Sequence, residues 1–239
     1  MRNFIIYTII IASLLIGSTA EAQQPKLEEI INSHLKMTGL DSLPQKMKTF
    51  FFEGGMVQDN KVFPVKIYGI WPDKYRIDLT FNNEIYTKIS NGYSIWEFTS
   101  KMDSISTSSA QKFECHNFIE RVTGSLFNYA NGTVKANLLS VVSIDDVELY
   151  KIEVLIGKYV RIYYIDRLSY HIIRIDDDNK ENKVTYYSDF KKVDRYYLPY
   201  GITGFEGGKP AISMVFKSII INGKVLPDLF EKPVFKSKK

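Results

Sequence analysis

Residues 48–98 read KTFFFEGGMVQDNKVFPVKIYGIWPDKYRIDLTFNNEIYTKISNGYSIWEF. Short apolar or alternating runs are separated by turn residues. In Lys74–Phe81, Tyr75, Ile77, Leu79 and Phe81 alternate with Arg76, Asp78 and Thr80, the period of a half-buried strand. The connectors Gln58-Asp59-Asn60, Pro72-Asp73, Asn82-Asn83 and Asn91-Gly92 are too short for a crossover, so neighbouring strands run antiparallel as a meander. Strands are expected at 48–57, 62–71, 74–81, 84–90 and 93–98.

Working outward, strands are also expected at 150–156, 159–165, 170–176, 184–190, 196–204 and 211–222. Two stretches have helical spacing instead. After Pro25, Leu27, Ile30, Ile31, His34, Leu35 and Thr38 share one face, and Gly39 suits the stop. Within Gln111–Tyr129, Cys115, Phe118, Ile119, Val122, Leu126 and Tyr129 share a face, with Gly124 placed to split the stretch in two. Ser104–Ser109 reads as a polar loop. The fold class is therefore mainly β (α+β): an open antiparallel half-barrel of about ten or eleven strands, with helices lidding its concave face.

Met1–Gln24 has the form of a secretory signal peptide. Arg2 precedes an apolar run, Phe4–Gly17, and Ala20-Glu21-Ala22 forms an A-x-A cleavage signal. The run is shorter than the roughly 20 residues of a membrane span. The expected organisation is a signal peptide at 1–22, cleaved near Ala22/Gln23, and a single domain at 23–239. No Cys follows the cleavage signal to accept a lipid. The lone Cys115 forms no intramolecular disulfide and reads as a small buried hydrophobe.

A net charge of +4 without a dense basic block argues against nucleic-acid binding. Phosphate-binding glycine loops, H-E-x-x-H and C-x-x-C are absent from the sequence, so no cofactor, metal or catalytic residue is expected and the protein reads as non-enzymatic. His34, His116 and His171 lie far apart, and Cys115 and His116 are adjacent, which does not suit a nucleophilic pair. Asp176-Asp177-Asp178-Asn179 with Glu181 lacks calcium-loop spacing and reads as a hairpin turn.

Several segments resemble the LolA/LolB-like superfamily of periplasmic lipoprotein carriers. They are His34–Leu40, Met47-Lys48-Thr49, Trp71-Pro72-Asp73-Lys74-Tyr75-Arg76, Asn91-Gly92 with Ile95-Trp96, Tyr164-Ile165-Asp166, Asp189–Val193 with Leu198-Pro199, and Ile221-Asn222-Gly223 through Pro233. The resemblance covers about Leu27 to Pro233. Asn91 stands where the family's Asp-Gly-x-x-x-Trp segment has Asp.

The resemblance implies an apolar cavity between sheet and lid. It holds the acyl chains of a lipoprotein or free lipid for transfer towards the outer membrane. It also implies a monomer in the periplasm, with transfer partners at the inner and outer membranes. Without a lipid-attachment Cys, a soluble carrier of the LolA type fits better than an anchored acceptor. The alternative on the same fold is an envelope-stress sensor. Expected lining residues are Phe50, Phe52, Ile67, Trp71, Ile77, Leu79 and Trp96 from strands, and Phe118, Ile119, Val122 and Leu126 from the lid. Strand parity does not separate a cavity from a filled core. The resemblance also implies that Arg76 hydrogen-bonds lid-loop carbonyls.

Overall fold

The computed structural model describes residues 25–101, 105–109, 114–177 and 182–234. The signal-peptide expectation and the residues Asp178, Asn179 and Glu181 lie outside these. The chain opens with helix α1 (Leu27–Thr38), whose buried residues Ile30, Ile31, His34, Leu35 and Thr38 form one stripe. Gly39, at φ +75°, ends it in the left-handed conformation, as expected for a helix stop. A 3-10 turn and the short helix α2 (Leu43–Lys46) lead to the sheet.

The first five strands follow the expected meander: β1 (Thr49–Gln58), β2 (Lys61–Ile70), β3 (Lys74–Phe81), β4 (Glu84–Ser90) and β5 (Ser94–Thr99). Their tight turns place Asp59, Asn60, Asn82 and Asn83 at positive φ, where Asn and Asp carry the smallest penalty among side-chain-bearing residues. Ser106–Ser109, expected as loop, pairs with β5 as an exposed strand, β6. Its four hydroxyl side chains make it a polar edge, a form that discourages pairing with other chains.

Helix α3 (Glu114–Thr123) follows, and Gly124 at φ +75° separates it from a 3-10 turn at Leu126–Asn128. The second meander is β7 (Val134–Ile144), β8 (Val147–Ile156), β9 (Tyr159–Asp166), β10 (Ile172–Asp177), β11 (Lys183–Val193) and β12 (Tyr196–Glu206). A two-residue β13 (Lys209–Pro210) pairs with β12, and β14 (Ser213–Ile221) completes the sheet. Strand β7 is not among those expected from the sequence. A register shift between Leu138 and Ser140 breaks the alternation there, so the pattern does not carry through.

Among the described residues, fourteen strands form one sheet: thirteen follow the order β6-β5-β4-β3-β2-β1-β14-β12-β11-β10-β9-β8-β7, and β13 pairs with β12 off this path. Among the described residues, the paired strands all run antiparallel. The last long strand, β14, sits between β1 and β12 and welds the two meanders together. The outermost strands, β6 and β7, do not pair with each other, so the half-barrel is open. They are also the strands joined by the segment containing α3. That connection therefore has to cross the sheet from one edge to the other, which lays α3 over the concave face.

A Cβ on Gly124 would lie 2.7 Å from Ile172 Cδ1 and 3.0 Å from Tyr163 Cε2, at a φ that side chains rarely adopt. Gly124→Ala is expected to destabilise the protein by about 1–3 kcal/mol, read as a lower urea midpoint with an unchanged slope.

Candidate functional site

The concave face is apolar because one parity of each strand points to it. On β1 these are Phe50 and Phe52, on β2 Val65 and Ile67, on β3 Tyr75, Ile77 and Leu79, and on β14 Phe216, Ile219 and Ile221. All belong to one cluster with Ile30, Ile31 and Leu35 of α1 and Cys115, Phe118, Ile119 and Val122 of α3. Phe118 is the centre of the contact. Its ring stacks on Phe50 at 5.5 Å, meets Phe52 edge-on at 5.1 Å and lies 5.8 Å from Tyr75. Phe52 continues the chain of rings to Phe216 at 5.0 Å. Edge-to-face and offset pairs add to burial. The Phe50 ring covers Gly69 so closely that a Cβ there would fall within it, so a larger residue at 69 would displace the ring.

Beyond this plug the concave face is only half covered. Met56 opposes Phe63 on β2 and Met214 on β14, and Met214 opposes Ile202 on β12. Phe63 meets Phe81 of β3 with ring centroids 4.7 Å apart. The five side chains form an apolar strip across five adjacent strands. Phe81 is 47% exposed and the others are half-buried. Leu79 and Ile77, also half-buried, continue from Phe81 towards the plug.

Where α1, α3 and β10–β12 meet, there is a small cavity of about 10 Å³. It is lined by His34, Thr38, Leu40, Val122, Thr123, Ile172, Tyr187, Phe190, Tyr197 and Pro199. Asp166 Oδ1 accepts hydrogen bonds from Leu168 N, Ser169 N and Ser169 Oγ. The turn so formed presents the Tyr170 carbonyl, 2.7 Å from His34 Nδ1. Burial pushes the His34 pKa down to about 4, so the ring is neutral near pH 7. Because a carbonyl only accepts, the proton is on Nδ1. Nε2 is buried without a partner. His171 stacks on Phe190 at 4.3 Å, and burial also lowers its pKa. The Tyr163 hydroxyl accepts from Ser125 N at 3.1 Å and lies 2.8 Å from Ser125 Oγ, fixing the turn after Gly124.

Of the residues expected to line a cavity, Phe50, Phe52, Ile67, Phe118, Ile119, Val122 and Leu126 are together, fully or almost fully buried, in the plug. Trp71, Ile77 and Leu79 are partly buried against it, and the Trp71 ring lies 5.4 Å from His116. Trp96 is elsewhere. Cross-strand register aligns Arg76, Ile89 and Trp96 in one row, opposite in parity to Tyr75 and Ile77. Trp96 packs with Ile89 and Phe230 on the outer face, with Val225 and Leu229 against them.

Arg76 does bond a backbone carbonyl, but that of Leu229 in the C-terminal segment, at 3.2 Å. Its Nε donates to Asp78. Tyr75, Phe216 and the strip residues Met56, Phe63, Phe81, Ile202 and Met214 also face the concave side, beyond the lining set expected from the sequence. The parity of β3 already pointed to Tyr75 and Phe81. His34 was placed on the apolar face of its helix, and that position was the signal for its burial.

Cys115 is buried, and burial pushes its thiol pKa above the usual range. Asp176 and Asp177 are held by Arg174 and Arg161, respectively. Among the described residues, no group of three or more His, Cys, Asp or Glu is placed to hold a metal ion.

No family model and no curated protein matches the sequence. Solved structures do match the fold. A DUF1329 family protein from Desulfovibrio piger superposes with a TM-score of 0.59 at 13% identity, over 85% of this chain and 96% of that one. A LolA superfamily protein from Nitrosomonas europaea gives 0.54 at 13% identity, over 86% and 97%. An outer membrane lipoprotein-sorting protein domain from Vibrio parahaemolyticus gives 0.54 at 10% identity, over 84% and 94%. The chain thus has a LolA/LolB-like fold, as the sequence resemblance implied.

Phe118→Ala is expected to cost about 3–5 kcal/mol in urea unfolding, because one ring serves three neighbours. Acid should also destabilise the protein through His34. Its folded pKa lies below the unfolded 6.5, so the unfolded state binds the extra proton. The His34 contribution is complete above pH 6.5 and is lost as pH falls towards 4. The shift corresponds to roughly 3 kcal/mol. His34→Gln should flatten the slope of stability between those pH values, measured against wild type by urea unfolding.

Proposed function

We propose that the protein is a non-catalytic carrier that holds the acyl chain of a lipoprotein or lipid on the concave face of its half-barrel. The observation that carries this reading is the half-exposed apolar strip from Phe81 through Phe63, Met56 and Met214 to Ile202. Adjacent strands lie about 4.8 Å apart, so five strands span about 19 Å, comparable to a palmitoyl chain. Burying about ten methylenes there contributes roughly 8 kcal/mol before the cost of ordering the chain. The strip meets the plug through Leu79 and Ile77. A chain lying on the strip enters the interior by parting α3 from the sheet and taking the place of the Phe118 ring.

The fold neighbours support the reading, because one of them is described as a lipoprotein-sorting domain. The signal-like Met1–Gln24 supports an envelope location, where an acyl chain crossing water needs such a carrier. Transfer towards the outer membrane as a soluble monomer, between partners at the two membranes, belongs to the same proposal.

Natively purified protein is expected to release lipid into organic extracts, detected by mass spectrometry, and to bind a fluorescent fatty acid. Phe63→Glu, on the half-exposed strip, should weaken that binding at least about tenfold by putting a charge beside the chain while leaving thermal unfolding within a few degrees. Clean extracts together with no probe binding would overturn the carrier reading.

A further inference from the structure

We propose that His34 Nε2 is the recognition atom for the polar end of the acyl ligand, accepting a hydrogen bond from a hydroxyl or amide N–H carried on a hydrocarbon chain. The inference rests on the carrier reading and specifies the chemistry of its ligand. Nδ1 is committed to the Tyr170 carbonyl at 2.7 Å, so the other ring nitrogen presents a lone pair and no proton. That nitrogen is buried and unpartnered. Leaving such an acceptor unmatched is destabilising, and a donor arriving with a ligand removes that penalty.

The surroundings select the donor. Three hydroxyls of the cavity wall have their protons committed elsewhere, so they do not donate to Nε2: Thr38 Oγ1 donates to His34 O at 2.6 Å, Thr123 Oγ1 to Ile119 O at 2.9 Å and Tyr187 OH to Arg121 O at 3.0 Å. The rest of the lining is largely hydrocarbon or aromatic: Leu40, Val122, Ile172, Phe190 and Pro199. A volume of about 10 Å³ admits one water-sized group. Among the lining residues, His34 Nε2 is the buried side-chain atom left without a partner. A hydroxyl or amide on an apolar chain matches both features, the unpartnered acceptor and the greasy wall.

Val122 and Ile172 also belong to the main apolar cluster. The cavity is thus contiguous with the interior that a chain would enter when α3 parts from the sheet. An ester, which has no donor, gains nothing from Nε2. Recognition of this kind separates ligands of equal chain length by head group alone.

The test is displacement of bound cis-parinaric acid at pH 7.5 by hexadecan-1-ol, palmitamide and methyl palmitate. The alcohol and the amide are expected to displace the probe at about tenfold lower concentration than the ester, the effect of one hydrogen bond in a dry site. In His34→Phe the difference is expected to vanish while the ester displaces as in wild type. A second measurement holds even if that variant fails to fold. In wild-type protein with 15N-labelled histidine, the Nε2 resonance of His34 should shift on adding the alcohol or amide and stay in place with the ester. Equal displacement by all three ligands, or an Nε2 resonance that none of them moves, would overturn the inference and leave the carrier reading standing. Failure of the probe to bind at all, together with organic extracts free of lipid, would overturn both.

Discussion

The insertion of Phe118 between Phe50, Phe52 and Tyr75 is the contact on which the architecture depends. A curved antiparallel sheet with one apolar face is unstable in water until something covers it. Here the cover is α3, and one aromatic ring anchors it to three strand residues. Around that anchor Ile119, Val122 and Leu126 fill in against the sheet, and α1 contributes Ile30, Ile31 and Leu35. In the proposed carrier, the same ring is the one an entering acyl chain displaces.

Chain topology brings α3 to where this contact forms. Strands β6 and β7 are opposite ends of the hydrogen-bonded order, yet they follow each other in the chain. Their connection must traverse the sheet, and an amphipathic helix is a stable way to do so over an apolar surface. The far side of the sheet is handled differently. Ile89 and Trp96 would be an apolar patch in water, and the C-terminal residues Val225, Leu229 and Phe230 pack over them. Arg76, holding the Leu229 carbonyl, ties that cover down. The two faces thus serve separate purposes, and the strip left half-exposed lies on the concave one.

Much of the architecture was legible in the alternation of β3 and the turn residues flanking it. The meander, the opening helix and the break at Gly124 follow from local chemistry, because each depends on neighbours within a few positions. The missing strand β7 shows where this fails. A register shift between Leu138 and Ser140 interrupts the period, and the pairing with β8 compensates for what the pattern lacks. Ser106–Ser109 was illegible for another reason: four polar residues carry no apolar face, and only hydrogen bonding to β5 makes them a strand. Trp96 was placed on the wrong face because its side is set by register with Ile89 and Arg76. A shift of one residue inverts every such assignment.

An antiparallel sheet with one apolar face, two amphipathic helices and the expectation of a LolA/LolB-like fold could be read from the residues alone. Periodicity and turn chemistry are local properties, and they survive without knowledge of contacts. The folded arrangement alone sets which apolar residues fill the interior and which remain reachable from water. It also decided that Arg76 serves the outer face, and that His34 keeps one nitrogen unspent beside a small cavity. Those outcomes depend on register, on β14 closing between β1 and β12, and on how the crossing helix seats, all of which join residues far apart in the chain.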